Sequence, residues 1–329
     1  MIVFHVSGEH EELPKAEIQG ICDSYNSKFK IVAGRGNYLL ADVDKDIHAL
    51  ANRLAFTHEV FEAASVTALD ELRSVLRGLP HKNASFCIEA HNFENNRAAQ
   101  IKWGKALADE WGIPVKLDGP ELRIHLVGLG PRVVVSTEKL GMDKGGLETR
   151  DPSKRPYFHP TALKPKLARL FVNLARVKEG DSILDPFCGS GSILLEAGLM
   201  GMRAYGLDMD LEKVWGCKEN LRFFGANAEV KEGDATKIEK TFDERFDAIV
   251  TDPPYARASK VYGGDLTRLY MDFLSSGKKA VKKGGFIVFA IPADVDIGAE
   301  IRKIGFSSMS KYEIYVHRSL SRMLYVLGV

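Results

Sequence analysis

The sequence predicts an α/β fold. Residues 156–329 read as an open, mostly parallel sheet covered by helices on both faces, and residues 1–139 as two smaller α+β units ahead of it. Three observations carry this prediction. Short apolar runs alternate with amphipathic helical stretches from Asp181 onward. Four successive strand ends in that stretch carry an aspartate: Asp185, Asp208, Asp234 and Asp252. The last two apolar runs, 311–318 and 323–327, lie only about four residues apart, too few for a parallel crossover. They must close the sheet as an antiparallel hairpin.

The elements follow in order. In the first unit, 1–65, the runs Ile2–Val6, 30–32 and Tyr38–Val43 read as strands. Stretches 14–25 and 47–54 read as helices, the second with Asp46 as a plausible N-cap. Its histidines, His5, His10, His48 and His58, are not at ligand spacing, so no metal is expected. The second unit, 66–139, reads as helix 69–76, strand 85–90 and helix 98–111. A strand at 115–117, the turn Gly119-Pro120, a strand to 126 and a strand at 133–136 complete it. Residues 140–155 have mixed charge, three glycines and no apolar period, so they read as a linker made rigid by Pro152 and, just beyond it, Pro156. A strap with two prolines and two aromatics follows at 156–161. The helix at 163–176 carries Lys164, Lys166, Arg169 and Arg176, either as a solvated face or as a phosphate-facing one. The parallel sheet then takes strands 182–185, 204–207, 229–231, 246–250 and 286–291, with helices 192–201, 211–224, 266–281 and 296–304.

Composition narrows the class. Of the 329 residues, 45% are apolar and 27% charged, the balance of a soluble globular chain. No run approaches the roughly 20 apolar residues of a membrane span. The opening segment lacks the basic start of a signal peptide. Cys22, Cys87, Cys188 and Cys217 are scattered, which argues against a zinc site and a disulfide framework and for the cytoplasm. Net charge is +1, with 18 Lys and Arg against 21 Asp and Glu in residues 1–150, and 27 against 23 in residues 151–329. Any polyanion surface is therefore a local patch.

Two motifs carry chemistry. Asp185-Pro186-Phe187-Cys188-Gly189-Ser190-Gly191 joins a strand to its helix, and its glycines let backbone approach a ligand closely. A third glycine, which a dinucleotide fingerprint would need, is missing, and the acid at the strand end would repel a phosphate. An acid there suits a cationic amino group. Asp208, followed by Met209, is placed to accept from two ribose hydroxyls. Asp234, followed by Ala235, is placed beside an adenine amino group. Each acid alone also fits a helix cap, but four in register describe S-adenosylmethionine. The second motif is Asp252-Pro253-Pro254-Tyr255, at the end of a buried strand. Carboxylate, carbonyl and aromatic ring meet at a corner made rigid by two prolines. That set suits a planar ring with an exocyclic amino group.

These motifs resemble the Rossmann-like methyltransferases that modify amino nitrogens. The order of elements around Val115-x-Leu117-x-x-Pro120-Glu121-x-x-Ile124 resembles the THUMP domain, although residues 90–94 depart from its usual pattern. The strap Tyr157-Phe158-His159-Pro160-Thr161 and the Ala162 to Pro165 run after it are similar to the same segment of THUMP-containing tRNA guanine-N2-methyltransferases. The resemblance implies a ferredoxin-like domain at 1–65, a THUMP domain at 66–139, a linker at 140–155 and a seven-stranded class I methyltransferase domain with an antiparallel last strand at 156–329. It implies N2-methylation, and dimethylation, of a guanosine in tRNA, position 10 foremost. An adenine-N6 or rRNA guanine-N2 methyltransferase is the alternative. Asp252, Pro253, Pro254 and Tyr255 are the expected catalytic residues. Cofactor contacts are expected from Asp185, Pro186, Phe187, Gly189, Gly191, Asp208, Met209, Asp234, Ala235, His159 and Thr161. RNA contacts are expected from Arg97, Lys102, Lys105, Arg123, Lys154, Arg155, Lys164 and Lys166. The oligomeric state stays open.

Overall fold

A computed structural model describes residues 1–44, 50–81, 84–142, 145–255, 266–317 and 320–329. The chain divides into two compact units: Met1–Glu9, Ser27–Asn52 and Phe56–Met142 form one; His10–Asn26, Arg53–Ala55 and Asp143–Val329 form the other.

The first unit holds two sheets. Strands β1 (Ile2–Val6), β2 (Phe29–Arg35), β3 (Tyr38–Val43), β4 (Thr57–Glu62), β5 (Ser65–Ala68), β6 (Phe86–His91), β7 (Leu122–Leu129), β8 (Arg132–Ser136) and β9 (Glu138–Lys139) follow in the chain. One sheet runs β2-β3-β1-β4-β9, with every pair antiparallel. The other runs β5-β8-β7-β6. Val3, Tyr38, Leu40 and Phe61 of the first share a core with Val127, Leu129 and Val134 of the second. On the far side of the second sheet, the helices Leu72–Arg77 and Asn96–Trp111 bury Leu72, Leu76, Trp103 and Leu107 against Phe86, Ile124 and Leu126. The longer helix begins where Asn95 accepts from the Ala98 N–H and stops at left-handed Gly112.

The second unit is a seven-stranded sheet. Its strands are β10 (Ser182–Asp185), β11 (Arg203–Asp208), β12 (Ala228–Glu232), β13 (Phe246–Thr251), β14 (Val281–Pro292), β15 (Ser308–His317) and β16 (Leu320–Gly328). Their order is β12-β11-β10-β13-β14-β16-β15. Strands β10 to β14 are parallel, and β16 runs antiparallel to both its neighbours. Helices Leu13–Ser24, Pro165–Leu174 and Ser192–Leu199 pack in one series, and Leu266–Ala280 with Gly298–Ile304 in another. Strand order reverses between β10 and β13, the point where a crevice opens at the carboxyl ends. Among the described residues no helix is long and apolar enough to cross a membrane.

Several expectations are corrected. The boundary at residue 65 does not divide the N-terminal half, because the two sheets there bury one shared core. The Leu13–Ser24 helix belongs to the second unit, where buried Asn173 donates to Glu17 at 2.8 Å. The expected rigid linker at 140–155 carries structure of its own. It forms a helix at Gly145–Thr149 and a 3-10 turn at Pro152–Lys154, and it buries Arg150 and Arg155. The expected strand at 115–117 is only an isolated bridge from Val115 to Phe86. The strands β4 and β5 went unread, because Thr57–Glu62 carries His58, Glu59 and Glu62 and so lacks an apolar alternation. Positions 47–49 of the expected 47–54 helix, with its cap Asp46, lie outside the described residues. So does Arg318.

Arg169, expected at a solvated or phosphate-facing surface, is buried with Glu196. The Glu196 carboxylate is 1% exposed and accepts from Arg150 Nε at 2.7 Å and from Arg169 Nε at 2.9 Å. Two guanidinium groups thus share one buried anion, and removing the anion leaves both uncompensated. Glu196→Leu should cost about 3–5 kcal/mol of stability. Urea unfolding of the two proteins at neutral pH checks this.

Candidate active site

The site forms where β10 and β13 end side by side. Leu184 pairs with Ile249, so Asp185 and Thr251 reach the same edge. Asp185 is buried, and its Oδ1 accepts from Thr251 Oγ1 at 2.6 Å and from the Phe187 N–H at 3.2 Å. Burial pushes its carboxyl up to about 7, against the pull of those two hydrogen bonds. Asp208 and Asp252 raise it further.

The loop after β10 turns on Gly189 (φ 50) and Gly191 (φ 85). A Cβ at Gly191 would lie 2.7 Å from Cys217 Sγ on the next helix, so only glycine brings the loop this close. Asp208, at the end of β11, accepts from the Gly189 N–H at 2.9 Å and from the Asp210 N–H at 3.0 Å. The second acid therefore grips the loop of the first. Asp210 caps the Leu211–Phe224 helix, and Met209 between them is exposed. Asp234 accepts from Thr236 N–H and Oγ1 and pairs with Lys237 Nζ at 3.2 Å, so it caps the turn that begins at buried Ala235.

The strap crosses the Leu211–Phe224 helix. A Cβ at Gly216 would sit 2.2 Å from the Tyr157 ring, so the ring rests where that side chain is missing. Buried Asn220 exchanges hydrogen bonds with Tyr157 N–H and C=O and donates to the Ser190 carbonyl. One side chain thereby ties strap, loop and helix together. His159 Nδ1 and Thr161 Oγ1 bond each other at 2.9 Å at the exposed end.

Asp252 begins the loop after β13. Its Oδ1 accepts from Tyr255 OH at 2.6 Å and its Oδ2 from an Arg322 guanidinium N–H at 3.2 Å. The Arg322 guanidinium also lies over the Tyr255 ring, 5.3 Å from its centroid. Burial raises the Asp252 carboxyl, while Arg322 and Tyr255 pull it down. The Tyr255 hydroxyl is pushed well up by burial and by Asp252, so it serves as a donor. Tyr270 OH donates to the Pro254 carbonyl at 3.0 Å. Among the described residues no donor is bonded to the Pro253 carbonyl.

The structure bonds Gly189 to Asp208 and Tyr255 to Asp252, and Asp185 feels the charge of both Asp208 and Asp252. Arg322, Asn220, Thr251 and Gly216 were not read from the sequence. Their partners lie 30 to 70 residues away, and no local spacing marks them. Of the cations expected to meet RNA, Arg155 must be withdrawn. It is buried, with its side chain on Ser192 Oγ and the Arg150 carbonyl. Arg123 is engaged by Glu89. Arg97, Lys102 and Lys105 are exposed on one helix of the first unit, and Lys154 and Lys164 are exposed in the second. Glu89, His91 and His125 bring one ligand atom each within 4.8 Å of one another. Burial lowers the pKa of both imidazoles, and Glu89 also pairs with Arg123.

The sequence family described as RMKL-like, methyltransferase domain, matches residues 152–323. A second, described as DNA methylase, matches residues 82–218, a span that stops short of Asp252 and Tyr255. The tRNA (guanine(10)-N2)-dimethyltransferase of Methanothermobacter thermautotrophicus is 35% identical over 98% of this chain and 97% of its own. That of Pyrococcus abyssi is 32% identical over 99% of each. The solved structure of TrmN from Thermus thermophilus covers all of this chain and 99% of its own at a TM-score of 0.54 and 19% identity.

The Asp185 carboxyl near 7 has a stability consequence. An unfolded aspartate titrates near about 3.9. Folding therefore favours the protonated form. This contribution is full below about pH 4 and is lost as pH rises through about 7. Urea unfolding between pH 4 and 8 should show a smaller decline with pH in Asp185→Asn than in the parent.

Proposed function

This chain belongs to the family of the tRNA (guanine(10)-N2)-dimethyltransferases, and we propose that it methylates the N2 amino group of a guanosine in tRNA, using S-adenosylmethionine. One observation supports this above the rest: a largely buried carboxylate, Asp252, paired with the Arg322 guanidinium at 3.2 Å and set beside the Pro253 carbonyl at the crevice. Guanine N2 is a weak nucleophile because its lone pair is delocalised into the ring. Accepting its two N–H bonds on Asp252 and on the Pro253 carbonyl returns density to nitrogen and aims it. Positioning and electrostatics then supply most of the rate. Asp252 takes the departing proton late. Tyr255 already has Arg322 on one face, so the expected stacking with the base falls to the other.

The donor set around Asp185 fits the methyl donor. Asp208 is held by backbone N–H groups and Asp185 by a hydroxyl and one N–H, with no cation paired to either among the described residues. Such an anionic pocket suits a cationic amino acid and a ribose diol, and it opposes a pyrophosphate. Bound there, S-adenosylmethionine supplies an electrophilic sulfonium methyl. Asp185, Asp208 and the glycine loop would hold it, with the strap at His159 and Thr161 along its exposed side. A base in a stem must leave its stack to reach Asp252.

The decisive assay is transfer to bulk tRNA, followed by nuclease digestion and mass spectrometry. It should yield N2-methylguanosine and, on longer incubation, N2,N2-dimethylguanosine. One N–H remains after the first transfer and can still donate to Asp252 or Pro253. Asp252→Asn should lose at least about 100-fold in turnover, the scale of removing one transition-state partner, and should bind cofactor normally by calorimetry. Methylation of adenine alone would overturn the reading.

The first unit is the substrate handler in this proposal. Its β2-β3-β1-β4 order, all antiparallel, supports the ferredoxin-like reading, and the Val115 to Ile124 motif supports the THUMP one. The unit carries 14 Lys and Arg against 15 Asp and Glu, so it must read RNA through a few local cations and through shape. A chain cut near Arg150 would lack the Leu13–Ser24 helix of the catalytic unit, so charge reversal is the better probe. Arg97→Glu, Lys102→Glu and Lys105→Glu together should raise KM for tRNA by about tenfold or more, through lost phosphate contacts. Cofactor affinity should not move. An unchanged KM would exclude this helix from the RNA contact.

A further inference from the structure

The tetrapeptide Asp252-Pro253-Pro254-Tyr255 does not by itself separate guanine from adenine, since either base offers an amino group. We propose that Arg322 makes the site guanine-selective by holding Asp252 as a doubly accepting carboxylate toward the base. This rests on the methyltransferase reading above.

The geometry is specific. Arg322 and Asp252 side chains are 11% and 14% exposed and meet at 3.2 Å. An ionised carboxylate offers about four lone-pair positions. Tyr255 OH takes one on Oδ1 and Arg322 takes one on Oδ2. One position on each oxygen stays open for the substrate. Guanine presents two donors side by side, N1–H and N2–H, which match two open acceptors. Adenine presents a donor, N6–H, next to an acceptor, N1. An ionised Asp252 would set a lone pair against adenine N1, whereas a protonated Asp252 could donate to it. The charge state of Asp252 therefore decides which edge fits.

The groups facing Asp252 pull in opposite directions. Burial opposes its charge, and so does Asp185 on β10. Tyr255 in its own loop donates to it, while Tyr270 on the Leu266–Ala280 helix is itself raised by burial and then by Asp252. Arg322, on β16, is the fixed positive charge in this set. A second observation points to a ligand. The Nε of Arg322 is buried with no acceptor among the described residues. An acceptor atom of a base beside Asp252 would satisfy it.

The experiment uses full-length protein and two tRNAs that differ only in guanosine or adenosine at the target position. Rates are taken from pH 5 to 9 for the parent, Arg322→Gln and Arg322→Lys, with cofactor affinity and thermal unfolding as controls. The acid limb of kcat/KM for guanosine should move up by at least one pH unit in Arg322→Gln and stay near the parent in Arg322→Lys. Guanosine activity of the Gln variant should recover at high pH to within about tenfold of the parent, since Asp252 ionises there. Below its limb, guanosine-over-adenosine selectivity should fall at least tenfold. An unshifted limb, unchanged selectivity, or activity lost at every pH with cofactor binding intact would overturn the proposal. Should the Gln variant not fold, a limb in Arg322→Lys matching the parent supports it, and one shifted up by a unit or more overturns it. A parent enzyme that leaves guanosine unmethylated would instead overturn the methyltransferase reading.

Discussion

The site depends on two acids being kept close together at the ends of β10 and β13. Parallel neighbours whose connections leave in opposite directions open a crevice there; β10 ends on Asp185, and Asp252 directly follows β13. Carboxylates gathered there oppose each other's charge and lose hydration. The structure answers differently for each. Asp185 receives a hydroxyl and an N–H and stays near the point of protonation, whereas Asp252 receives a guanidinium and a phenol. One acid is left to be neutralised by whatever cation binds. The other is already committed to accepting hydrogen bonds.

The surroundings hold these acids by contacts that reach far along the chain. Asp208 grips the glycine loop, Asn220 joins that loop to the strap, and the missing side chain at Gly216 seats Tyr157. Beneath the loop, the Ser192–Leu199 helix is anchored by Glu196 between Arg150 and Arg169. Such a buried ion network is a weak source of net stability. It orients the segment that enters the catalytic unit and the helix that carries the loop.

The catalytic crevice is lined with acids and suits a cationic cofactor. RNA must then be drawn by scattered exposed lysines and arginines elsewhere. Arg155 shows how little a charge says before its surroundings are known. It reads as an RNA contact beside Lys154, yet it is buried on Ser192, while Lys154 is exposed.

The strand and helix pattern of residues 182–304 was legible because each element buries a face, and burial leaves a periodic trace in sequence. Both chemical motifs were legible for a related reason. Backbone geometry after a strand demands glycine or proline locally, and the acids stand directly beside them. What the sequence alone determined, then, was the parallel sheet, its closing hairpin, the acids at its edge and the amino group they suit. Only the tertiary structure decided what those acids touch. Arg322 lies 70 residues beyond Asp252, opposite Pro292, on the one strand that runs antiparallel to the parallel set. That direction brings the start of β16 to the edge where the parallel strands end. No periodicity encodes such a meeting, since it arises from how distant strands are ordered and not from the residues on either side.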